Sequence, residues 1–202
     1  MTIFTDSFPP PSLDVARWTE DLQGTVSLVV GIPTDGVYPI DVDNAADEVA
    51  VHSRTKIYVP TNQPFDSQIN YIDPYADAVP PVTRILYFGW RSILEGAGIP
   101  LWGVDVMLRI LIGPGYDFLK RVVVNGVTTV TPLIADPTAG ADGKFRVERT
   151  GYDYKIYYYD GGWVLLDTIT LAHIGLGYVR FGVYAEAVAP PAGAPFPWIL
   201  EP

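Results

Sequence analysis

Reactive side chains are few in this sequence. Its two histidines are His52 and His173, and it has no cysteine. A thiol nucleophile, a disulfide framework and a Cys-based zinc site are all excluded. Two histidines without cysteine leave little else for zinc. No Gly-x-Ser-x-Gly elbow presents a serine nucleophile. His52 falls on the outward face of a strand pattern, and His173 sits in the turn-like LAHIGLG. Neither position calls for a general base. The stretch DVDNAADE, from Asp41 to Glu48, gathers acidic oxygens of the kind calcium takes, with Asp41, Asp43 and Asp47 as its candidate ligands. An EF-hand loop needs glycine at its sixth position, where Ala46 stands, so a solvated acidic loop is the expected reading and bound calcium the lesser one.

Aromatic side chains are the other chemistry on offer. The stretch GKFRVERTGYDYKIYYYDGGWVLLDTI runs from Gly143 to Ile169. In DYKIYYY, Asp153 and Lys155 share a face with Tyr157 and Tyr159, and Tyr154, Ile156 and Tyr158 share the other. Charges avoid the core, so Tyr157 and Tyr159 are expected to look outward, as a flat surface for a sugar or another protein. A two-residue turn after Tyr159 would set Tyr158 against Trp163 and place both inside; a three-residue DGG turn would shift that pairing by one. The expectation is Tyr154, Tyr158 and Trp163 in the core, with Lys144, Arg146 and Glu148 outside.

The elements that must hold these residues are strands. Period-two alternation dominates, as in EVAVHSRTKIYV from Glu48 to Val59. Asn125-Gly126 and Asp160-Gly161 tolerate the positive φ of tight hairpin turns. The 202 residues include 19 Gly and 19 Pro, natural for many strands joined by turns, and 49% are hydrophobic, ample for a core. Short strands without helices predict an all-β, two-sheet antiparallel sandwich, with one domain over residues 1–188 and an extended Pro-rich tail over 189–202. The net charge of -10, from 13 basic and 23 acidic residues, argues against nucleic acid and an anionic membrane surface. No apolar run is long enough for a spanning helix, and no secretory signal opens the sequence, so a cytoplasmic product is expected.

The opening DSFPPPSLDVARWT, through Asp6, Phe8, Leu13, Asp14 and Trp18, resembles the start of concanavalin A-like jelly-roll modules, the laminin-G-like and glucanase-like group. FDSQINYI, ILYFGWRS, the 143–169 stretch and YVRFGVYAEA resemble that group's later strands. The resemblance implies two curved antiparallel sheets, and in many members a carbohydrate site. Glycosidases of this fold class carry a Glu-x-Asp-x-x-Glu pattern, since two carboxylates about 5 Å apart must act together. The glutamates here, at 20, 48, 95, 148, 186 and 201, do not fit it, so the expectation is a chain that is not an enzyme. The tail APPAGAPFPWILEP presents Phe196, Trp198, Ile199 and Leu200, poorly tolerated in water, which suggests an anchor on its own domain or on a neighbouring subunit. The expected role is that of a non-enzymatic virion protein, a phage capsid or tail decoration working through protein contacts in a homo-oligomer or larger particle. The alternative is a lectin-like module for cell-surface glycans.

Overall fold

A computed structural model describes residues 18–23, 38–40, 48–53, 64–72, 83–92, 102–111, 116–135, 142–172, 177–185 and 196–199. These hold thirteen strands and no helix. In chain order they are β1 (Trp18–Gln23), β2 (Tyr38–Ile40), β3 (Glu48–Ser53), β4 (Phe65–Ile72), β5 (Arg84–Ser92), β6 (Trp102–Ile110) and β7 (Tyr116–Val124). Then come β8 (Val127–Ala135), β9 (Asp142–Thr150), β10 (Asp153–Tyr159), β11 (Trp163–Thr170), β12 (Gly177–Ala185) and β13 (Phe196–Ile199). One sheet has seven strands in the order β1-β3-β12-β5-β6-β7-β8, and the other six in the order β11-β10-β9-β4-β13-β2. The pairings within both sheets are antiparallel. This is the all-β sandwich that the alternation implied.

The sheets meet through alternate residues. Leu86, Phe88 and Trp90 of β5, Val104, Val106 and Leu108 of β6, and Val179, Phe181 and Val183 of β12 form one side of the core. Phe65 and Ile69 of β4, Phe145 and Val147 of β9, and Tyr154 and Ile156 of β10 form the other. Each fully buried aliphatic or aromatic side chain of this kind contributes about 1.5–3 kcal/mol. Towards the β7 side Phe118 packs on Tyr158 with ring centroids 4.4 Å apart, and the Lys120 ammonium bonds to Asp167 of the opposite sheet. Alternation also carries one charge inside. Arg149 follows Phe145 and Val147 on the inner face, 1% exposed, against the rings of Phe65, Trp90 and Tyr154.

Two turns position the working face. Asn125 and Gly126 (φ 51° and 79°) join β7 to β8 as a two-residue hairpin. Asp160, Gly161 and Gly162 join β10 to β11, with Gly161 at φ 64°. The end of the chain contributes β13, which lies hydrogen-bonded between β4 and β2. Leu200 and the proline-rich stretch before β13 lie outside the described residues, as do Asp41, Asp43, Asp47 and His173.

Candidate functional site: an aromatic and ionic face on the six-stranded sheet

Strands β4, β9, β10 and β11 turn one face away from the core. Their register lines up residues in transverse rows: Leu165, Tyr157, Arg146 and Gln68 in one, Lys155, Glu148 and Asp66 in the next. Trp163 and Tyr159 pair at the hairpin end.

Arg146 is the hub of this face. Its Nε donates to Asp66 Oδ1 at 2.8 Å and its Nη2 to Asp66 Oδ2 at 2.6 Å, a bidentate grip. Nη2 also donates to Glu148 Oε1. The guanidinium lies 5.4 Å from the ring centroid of Tyr157 and 5.6 Å from that of Trp163, within cation–π range. The Tyr157 hydroxyl donates to Glu148 Oε2. Tyr159 meets Trp163 edge-on with centroids 5.4 Å apart, and the Lys144 ammonium stands over the Tyr159 ring. The hydrogen bond to Asp66 pushes the Arg146 pKa up, with burial opposing. Burial pushes the Tyr157 hydroxyl up to about 12, helped by its bond to Glu148. Three charged side chains, Arg146, Glu148 and Lys144, thus contact the aromatic rings of this face. Tyr159 is 42% exposed and Leu165 48%.

The alternation placed Tyr157 and Tyr159 on the outside, where they are. Trp163 departs from expectation. The turn has three residues, so Tyr159 rather than Tyr158 pairs with Trp163, and the indole joins the outer face. A β-bulge at Leu166 of β11, opposite Ile156 and Tyr157, takes up the odd residue, so Tyr154 opposes Ile169 and both lie in the core. Sequence reasoning missed Asp66 as a member of the site because its partner Arg146 is eighty positions away. The DGG triplet was the signal for Trp163, and its length decides the face.

A second charged cluster lies on the outward side of the seven-stranded sheet. Arg91 Nη2, Arg121 Nε and Arg180 Nη2 all donate to one oxygen, Oδ2 of Asp105. Asp105 is fully buried and the three arginines are 2–8% exposed. The guanidiniums of Arg121 and Arg180 lie over the Tyr87 ring at 4.5 and 4.6 Å. Burial lowers the Arg91 pKa, with Asp105 opposing. Backbone register places His52 of β3 across from Arg180 in this sheet. Buried as it is, the cluster holds strands together.

No family model matches the sequence, and no curated protein does. Solved structures match along nearly its whole length. A CBM2 module of the evolved Dit of Lactobacillus casei BL23 phage J-1 has a TM-score of 0.60 at 10% identity, over 97% of this chain and 91% of that one. The chain has the concanavalin A-like jelly-roll fold. A glycoside hydrolase family 16 endo-glucanase from Bacteroides ovatus has a TM-score of 0.57 at 9% identity, over 97% of this chain and 98% of its own. The β-glucanase of Bacillus licheniformis has 0.57 at 12%, over 98% and 96%.

These neighbours correct one expectation. The missing Glu-x-Asp-x-x-Glu spacing led to a chain that is not an enzyme; structures with the same jelly roll include glucanases, so that spacing does not decide against hydrolase activity. The spacing test has a physical blind spot: it sees acids on one strand only. Here sheet pairing sets Asp66 of β4 directly opposite Glu148 of β9, and both bind Arg146.

Proposed function

We propose that this chain is a carbohydrate-binding module that works from the outer face of the six-stranded sheet. The observation that carries the reading is the corner formed by Trp163, Tyr159 and Tyr157 beside Asp66, Arg146 and Glu148. Aromatic rings cover the apolar C–H faces of a sugar, and neighbouring carboxylates and guanidinium bond its hydroxyls. The likeness to glycosidases and to a phage CBM2 module supports it. A glycan array with the intact protein, followed by titration of the strongest hit, is the test. Trp163→Ala with Tyr159→Ala should weaken binding about tenfold or more, since ring contacts of this kind are worth roughly 1 kcal/mol each. A blank array, or affinity unchanged in the double variant, defeats the proposal. Product analysis of the bound oligosaccharide in the same experiment reads out any cleavage.

The likeness to a phage Dit module supports a second reading that sits beside the first. In it the chain is part of a virion, made in the cytoplasm and held to other protein subunits, with Phe196, Trp198, Ile199 and Leu200 as anchors. Co-purification of the intact chain with particles is its test; particles that never contain the chain count against it.

A further inference from the structure

Most of the exposed large hydrophobic side chains among the described residues lie elsewhere. Among the described residues seven large hydrophobic side chains are exposed, and four of them belong to the β7–β8 hairpin: Val124 (37%), Val127 (67%), Val130 (46%) and Ile134 (42%). Among the described residues β8 is an edge strand, bonded to β7. From Val122 to Ala135 there is no charged residue, in a chain of net charge -10. Proteins usually protect such an edge with charge, a bulge or proline; β8 has the last two only at its far end, where Pro132 and the bulged Leu133 follow the run 127–131.

The backbone shows which groups are free. Val124 and Val127 close the two-residue Asn125-Gly126 turn, and such a closing pair exchanges both hydrogen bonds. Val127, Thr129 and Thr131 therefore turn their N–H and C=O groups to β7. Thr128 and Val130 turn theirs away. Pro132, opposite Leu119, is the next outward position and has no N–H, so it ends the edge available for pairing.

We infer that β8 pairs antiparallel with β8 of a second copy of this chain, about a two-fold axis at Thr129. Thr128 of each copy then faces Val130 of the other, giving about four backbone hydrogen bonds, and Thr129 faces Thr129. The arrangement is self-complementary, as a two-fold interface must be. Net charge of -10 on each copy opposes association, and a segment with no charged residue is where that opposition is least, so the self-complementary register fits a second copy here. Val127 and Val130 lose water on pairing. Two seven-stranded sheets become one continuous sheet. The inference does not depend on glycan binding.

Sedimentation velocity of the full chain across a concentration series tests it. A reversible dimer is expected. Thr128→Pro, which removes only the outward donor, and Val127→Lys should each weaken it at least tenfold with the melting temperature kept. Ile134→Lys, beyond Pro132 on the same strand, should leave the dimer intact. Because the chain has no cysteine, Thr129→Cys offers an independent readout, a disulfide-linked dimer on mild oxidation. A wild-type chain that stays monomeric, including one that takes up another protein's strand instead, overturns the proposal. So does a Thr129→Cys chain that never cross-links.

Discussion

Asp105 is the residue on which the most charge depends, since three arginines donate to its Oδ2 and none of the four side chains is well solvated. Removing it leaves buried guanidiniums without their common carboxylate. We expect Asp105→Ala to cost about 3–5 kcal/mol in chemical denaturation, far more than Arg146→Ala on the half-exposed outer face. A loss below about 1 kcal/mol would show that the cluster is better solvated than its burial indicates. The tyrosines supply a pH signature. Burial raises both Tyr154 and Tyr157 from 10 to about 12, so the folded chain holds these protons more tightly than the unfolded one. Their contribution is complete below about pH 10 and is lost as pH rises towards 12. Urea midpoints should therefore fall across that window, and Tyr157→Phe should flatten the fall; a midpoint flat to pH 12 would contradict it.

Strand register is what turns these residues into a site. The alternation of β9 and β10 was legible without coordinates, and it placed Phe145, Val147, Tyr154 and Ile156 inside and Tyr157 and Tyr159 outside. Trp163 was not legible, because one extra residue in a turn moves a whole strand to its other face. The bulge at Leu166 then returns Ile169 to the core, and nothing local in VLLDT announces a bulge. Close strand approach makes its own prediction. A Cβ at Gly89 would lie 2.1 Å from the Val104 carbonyl oxygen and 2.3 Å from Asp105 Oδ1. Backbone cannot step aside there, so Gly89→Ala should lower the melting temperature by several degrees, corresponding to roughly 1–3 kcal/mol of overpacking. An unchanged melting temperature would mean that β5 and β6 separate without strain.

At the scale of the whole molecule, the last strand closes a gap made early in the chain. Among the described residues β2 pairs with β13, and β13 connects it to β4. Deleting residues 189–202 should therefore free β2 and speed proteolysis around residues 38–40, while β9, β10 and β11 keep their hydrogen-exchange protection. Equal protection of β2 in the truncated chain would mean that β13 is dispensable. The same sandwich presents two separate outward surfaces, an aromatic and ionic one on β9–β11 and an uncharged edge at β8, so a glycan and a second copy would not compete for one place.

The sequence by itself determined the alternation, the tight hairpin at Asn125-Gly126 and thus the sandwich, because side-chain period and turn chemistry are local properties of a strand. Only the tertiary structure decided which face Trp163 joins, that Asp66 meets Arg146, and that outward-facing Asp105 is buried. Those outcomes depend on which strands become neighbours and in what register, and no short window of residues contains that information.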